Sequence, residues 1–198
     1  MFVITADQVH SRSTDDHVDA ALATINALPD LSLAAERTVG DELQALTASA
    51  STAVDLILLL ARSGAWSVGL GVGDADPRAG RSVRETSGSA FVFAREAVEL
   101  AKKRQTRFAL CSRDAIDADD AQAFFDMLLL LRARRTETAW RLHDLLRSGL
   151  NQVEAANRLG VTPQSASKTA LSAGLRVDLA AETALVRLVA RLDATSGG

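Results

Sequence analysis

Along the first 112 residues, short apolar runs alternate with segments in which apolar positions recur every three or four residues. Residues 2–6 are apolar and β-rich, which predicts a buried strand. In residues 15–28, Val18, Leu22 and Ile25 fall at helical spacing, and Pro29 stands just beyond the predicted end. Residues 33–39 and 43–47 read as two strands, with Gly40 as the positive-φ residue of a tight hairpin between them. Residues 51–62 predict a helix closed by Gly64. Residues 66–73 predict a strand of unusual design. Val68, Leu70 and Val72 alternate onto one face, and Gly69, Gly71 and Gly73 onto the other. A face without side chains predicts that a helix or a flat ligand lies very close to it. Residues 74–88 read as a loop, 90–104 as a helix and 108–111 as a strand. The order β-α-β-β-α-β-α-β fits a ferredoxin-like split arrangement.

The second half changes period. Residues 118–148 contain neither Gly nor Pro, and Phe124, Leu128, Leu131, Ala139, Leu142 and Leu146 keep an apolar stripe. They predict one long helix, kinked near residues 134–136 and ended by Gly149. A domain boundary falls there, giving domains of residues 1–135 and 136–198. Residues 150–171 then predict two short helices around Leu159-Gly160-Val161. Ala155 and Ala156 are small enough for helices to cross closely, Thr162 suits an N-cap and Pro163 the first helical position, and Ala166 and Leu171 are expected to face back to the core. These are helix-turn-helix proportions. The second helix of such a unit enters the major groove, and here it would present Thr162, Gln164, Ser165, Ser167, Lys168 and Thr169. Gln suits the adenine edge, and the hydroxyls and Lys168 suit phosphate oxygens. Double-stranded DNA is the expected partner; the alternative is a helical hairpin used for packing or protein pairing. The stretch resembles the helix-turn-helix units of sigma factors and response-regulator output domains. Leu185, Val186, Leu188, Val189 and Leu192 give the last segment an apolar stripe, which predicts either a homodimer interface or packing on the chain's own core. The predicted fold class is α+β, a ferredoxin-like N-terminal domain plus an all-α helix-turn-helix C-terminal domain.

Composition narrows the partners more than the fold. The formal charge of the whole chain is −3, so no global basic field favours a polyanion. Residues 136–198 carry seven basic against six acidic residues, a net +1, which suits weak binding by a monomer and a stronger footprint from a dimer. With a single cysteine, Cys111, the chain can form no internal disulfide, which fits a cytoplasmic protein, and Cys111 itself reads as a small buried hydrophobe. The N-terminus lacks the pattern of a signal peptide and no apolar run is long enough for a membrane span. His10, His17 and His143 lack metal spacing, and no Ser–His–Asp triad can be assembled.

Four motifs in the first half carry a resemblance. Asp7 follows the first strand in Asp-Gln-Val-His-Ser-Arg, Asp41 sits in Gly-Asp-Glu-Leu-Gln, and Trp-Ser-Val-Gly-Leu-Gly-Val-Gly and Ala-Phe-Val-Phe-Ala-Arg-Glu-Ala follow. The series resembles the palm of class III nucleotidyl cyclases and GGDEF-type diguanylate cyclases. With the terminal helix-turn-helix it resembles the SatD family of bacterial proteins over residues 1–176. The palm resemblance implies that Asp7 and Asp41 hold Mg²⁺ with a nucleotide, that Arg37 and Arg95 contact that ligand, and that Gly69 and Gly71 line its site. Ser11 and Arg12 are further phosphate candidates. Two positions depart from the cyclase pattern: Phe91 stands where an Asn is usual, and Arg37 where a base-selecting Lys is usual. Read from the residues alone, Asp7 and Asp41 are equally turn-capping carboxylates, Glu42 a solvated hairpin residue and Arg95 a surface ion-pair partner. Two functions follow: a DNA-binding regulator with a degenerate cyclase-like sensor or dimerisation domain, or a metal-dependent nucleotidyl cyclase or nucleotidyltransferase acting on a nucleotide triphosphate.

Overall fold

The computed structural model describes residues 1–9, 15–78 and 82–196. The chain is α+β, with a five-stranded mixed sheet and, among the described residues, eight α-helices. It divides into two compact units: residues 1–126 with 185–198, and residues 127–184. The division falls at two points in the chain, 126/127 and 184/185, rather than at the single position near Thr136 that the sequence predicts.

In the first unit the strands are β1 Phe2–Gln8, β2 Leu31–Arg37, β3 Glu42–Thr47, β4 Trp66–Val72 and β5 Phe108–Ser112, in the spatial order β2-β3-β1-β4-β5. β1 is central and antiparallel to both neighbours, placing Ile4 between Ala45 and Leu70. β5 joins the far edge parallel to β4, with Val68 beside Phe108. The hairpin from β2 to β3 turns at Gly40, whose φ of 63° is costly for any residue with a Cβ. Helices α1 Val18–Ile25, α2 Ala50–Ser63 and α3 Ser89–Ala101 connect the strands, and a 3-10 turn, Val83–Glu85, lies in the loop before α3. Ser49 caps α2 by accepting from the Thr52 amide, and Gly64, at φ 68°, ends it.

The glycine face of β4 is explained by α3. A Cβ at Gly71 would overlap the Ala90 carbonyl oxygen and the Ala94 nitrogen, and one at Gly69 would lie 2.7 Å from the Ala94 carbonyl oxygen. The helix answers in kind, burying Ala90, Ala94, Ala97 and Ala101. Backbone therefore meets backbone across this layer, and no side chain can intervene. The opposite face, with Val68, Leu70 and Val72, turns towards α1 and α2, whose groove has Trp66 in its floor. β5 is an edge strand, but its free backbone is not idle: Gln122 accepts from the Leu110 amide at 2.8 Å and donates to the Phe108 carbonyl at 3.4 Å. One side-chain amide thus stands in for a neighbouring strand. Phe108 and Phe125 anchor the same region with ring centres 4.5 Å apart.

The long helix predicted for residues 118–148 is two helices, α4 Ala115–Ala133 and α5 Glu137–Arg147. Thr136 takes an extended conformation and its hydroxyl accepts from the Ala139 amide at 3.3 Å, so it begins a new helix where periodicity alone suggests a kink. In the second unit α5 is followed by α6 Gln152–Leu159 and α7 Pro163–Ser172, and α8 Leu175–Ser196 begins there. Of the apolar stripe of α8, Val186 and Leu188 are half-buried. Leu185, Val189 and Leu192 are buried within the chain's own fold. Among the described residues, no helix is long and apolar enough to cross a membrane.

Candidate nucleic-acid interface

The second unit builds its surface from caps inward. Asn151 starts α6 with a capping box: its side chain accepts from the Val153 and Glu154 amides, and Glu154 accepts from the Asn151 amide at 2.8 Å. Gly160, at φ 69°, ends α6 and lets the chain reverse within three residues. Thr162 then caps α7 by accepting from the Ser165 amide at 3.2 Å, with Pro163 at the first helical position. Ala155, Ala156 and Ala166 meet Leu142 of α5 and Leu175 at the centre, where larger side chains would force the helices apart.

This packing decides which side of α7 is free. Ala166 is 1% exposed as expected, but Leu171, expected to face the core, is exposed at helical spacing from Gln164, Ser167 and Lys168; Thr162, Gln164, Ser165, Ser167 and Lys168 are exposed and Thr169 is half-buried. All six expected contact residues therefore lie on one helix and its cap, five of them fully in solvent. Thr162 has a structural task as well, because its hydroxyl oxygen serves the cap. Residues 155–177 contain no Asp or Glu and carry the exposed Arg158, Lys168 and Arg176, so the local field is more positive than the +1 of residues 136–198.

The same unit holds a buried charge network that sequence reading missed. Asp178 has no solvent exposure; Arg132 grips it with Nε and Nη2, both at 2.8 Å. Arg135 Nη2 lies 2.6 Å from its other side as an ion pair, and His143 Nε2 lies 3.1 Å away. Glu182 accepts from Arg132 and pairs with Arg147, both at 2.7 Å. Burial alone would raise the Asp178 carboxyl; the bonds from His143, Arg132 and Arg135 outweigh it and hold the group far below the usual carboxylate range. Arg135 is 1% exposed, its Nε and Nη1 lack hydrogen-bond partners among the described residues, and its guanidinium stacks 4.8 Å from the Trp140 ring centre. His143, Asp178 and Glu182 also lie within 4.8 Å of one another as potential metal ligands. Three guanidinium groups already neutralise the two carboxylates, so a divalent cation would meet net positive charge, and the cluster reads as an ion-pair keystone. His143 and Asp178 are 35 residues apart, which is why no spacing rule brings them together.

In the first unit the implied nucleotide site is largely committed elsewhere. Asp7 is half-buried and its carboxylate pairs with Lys102 at 3.2 Å. Burial disfavours the charged lysine, but bonds to Glu99 and Asp7 raise its pKa on balance. Asp41 lies in the β2–β3 turn, where its carbonyl accepts from the Gln8 amide at 3.2 Å. Arg37 bonds Asp16 at 2.6 Å, Asp19 at 3.2 Å and the Gly40 carbonyl at 3.1 Å. Gly69 and Gly71 lie beneath α3, which corrects the expectation that they line a ligand site. Arg95 is exposed on α3, and Glu42 accepts from the Thr38 hydroxyl at 2.6 Å. His10, Ser11 and Arg12 lie outside the described residues. Cys111 is half-buried, and burial together with the charge of Glu96 pushes its thiol up to about 11, far from reactive. The groove between α1 and α2, about 430 Å³, is lined mainly by Ala20, Ala21, Ile25, Leu59, Leu60 and Trp66, with His17 and no Asp, Glu, Lys or Arg.

Comparison with protein-family models, with curated proteins and with solved structures finds no match to this chain.

Proposed function

We propose that this protein is a cytoplasmic DNA-binding transcriptional regulator that reads duplex DNA with α7. The observation that carries this reading is the division of α7: Ala166 plugs the α5–α6–α7 core while Gln164, Ser165, Ser167 and Lys168 face solvent at its N-terminal half, in an acid-free stretch. That is the arrangement a helix-turn-helix needs to lay its second helix in a major groove. The first unit supports the companion reading of a cyclase-like scaffold. Its β1–β4 segment follows the 2-3-1-4 strand order of the ferredoxin-like fold, as the palm and SatD resemblances imply. Within the proposal that unit senses or dimerises. The nucleotidyl-transfer alternative has less support, because Asp7 is neutralised by Lys102 and the glycine face is filled.

Selection of genomic fragments on the purified full chain, followed by electrophoretic shifts at rising salt, tests the reading. Wild type retards the selected duplex. Lys168→Ala weakens binding to all sequences and lowers the salt slope by about one unit, whereas Gln164→Ala changes the sequence selected. Failure to retard any duplex at low salt removes the proposal. Calorimetry with nucleotides and Mg²⁺ on wild type and Asp41→Ala tests the sensor role separately; no heat from wild type ends it.

A further inference from the structure

The outward side of α7 carries an apolar residue among its polar ones. Residues three and four apart on a helix are neighbours, so Gln164, Lys168 and Leu171 follow one another along a single line, with Ser167 beside it. The core lies on the opposite side, where Ala166 is buried and Ala170 and Ala173 pack against the same cluster. Leu171 is 85% exposed. A lone exposed leucine is ordinary, and position is what gives this one meaning. It stands one turn beyond Lys168, in the middle of the face turned furthest from the core.

The neighbours of Leu171 select what it meets. Ser167, Lys168 and Ser172 flank it, and all three are exposed. A protein surface covering this single leucine would have to desolvate the lysine and the hydroxyls with it. The major groove offers the matching mixture: hydrogen-bonding base edges interrupted by the C5 methyl of thymine, the one apolar group on its floor. The spacing fits as well. From residue 164 to residue 171 the helix advances about 10 Å, at about 1.5 Å per residue, and base pairs stack at about 3.4 Å. A helix laid along the groove therefore brings Leu171 about three base pairs from the edge that Gln164 meets.

We infer that Leu171 is a specificity-determining residue that reads a thymine methyl, so that the preferred site pairs an adenine under Gln164 with a thymine about three base pairs away. This rests on the DNA-binding reading above and adds to it the kind of sequence that is read.

The test uses the full chain and a duplex selected from a random library, in anisotropy titrations at fixed salt. Exchanging thymine for deoxyuridine at each position in turn removes a methyl and nothing else. The expected result is a position, about three base pairs from the one whose preference Gln164→Ala relaxes, at which deoxyuridine weakens wild type about fourfold, the effect of one buried methyl group. Leu171→Ala binds the two duplexes alike. Its side chain lies in solvent, so circular dichroism and the thermal midpoint stay as in wild type. At the same position wild type prefers 5-methylcytosine to cytosine, and Leu171→Ala does not. A retarded duplex with no position sensitive to deoxyuridine overturns this inference and leaves DNA binding standing. So does a methyl preference that survives in Leu171→Ala, which would assign the contact to another residue. Self-association that Leu171→Ala abolishes also overturns it, by assigning the leucine to a second copy. Failure to bind any duplex overturns this inference and the DNA-binding reading together.

Discussion

Asp178 spends its whole charge inside its own unit. With no exposure and bonds from Arg132, Arg135 and His143, its ionised form belongs to the folded state. Asp178→Asn leaves two guanidinium groups short of a counter-charge, and we expect a loss of about 3–5 kcal/mol in chemical denaturation. The pH dependence has a definite sign. The carboxyl is depressed in the folded state, so its contribution is complete above the unfolded pKa near 4 and disappears as pH falls towards the folded value. Wild type therefore shows a steeper acid limb below about pH 4 than Asp178→Asn when thermal midpoints are compared across pH. Nothing local in the sequence marks this residue. Helical periodicity places it at the start of α8, but its partners come from α4, α5 and the link between them, a pairing only the tertiary fold creates.

At the scale of elements, periodicity located nearly every strand and helix, set the ends of α1, β2 and α3 two or three residues off, and ran two helices together as one. The apolar stripe of residues 118–148 runs through Thr136, yet the hydroxyl of that threonine offers the Ala139 amide a better partner than a continuing turn would. Thr136→Ala is expected to cost about 1 kcal/mol, measured as a shift in the denaturation midpoint with unchanged slope. The alternation in β4 was legible and so was its consequence, close approach; whether a helix or a ligand approached was not, because the same absence of side chains serves both. Gly71→Ala decides the energetic weight of that contact. Its Cβ meets α3 backbone rather than a side chain that can turn away, so about 3 kcal/mol or more is expected, against less than about 0.5 kcal/mol for an ordinary surface replacement.

At the scale of the molecule, α+β content and the pair of short helices on either side of Gly160 were readable because each rests on local spacing. The division of the chain was not, because residues 185–198 belong with the first unit, and return of a distant segment leaves no local mark. That division has a measurable signature. In hydrogen exchange, Asp178→Asn should accelerate the amides of α5, α6 and α7 and leave those of β1, β3 and β4 protected. Uniform acceleration would mean that the two units open together. The same scale governs solubility, and there the amide of Gln122 matters more than its size suggests. Once its grip on Leu110 and Phe108 is removed by Gln122→Leu, the outermost strand becomes a template to which a stray β-segment of another molecule can add, and each addition exposes the next. A protein that folds correctly would then seed fibrils on standing, and thioflavin fluorescence growing with concentration would follow from the loss of a single carboxamide.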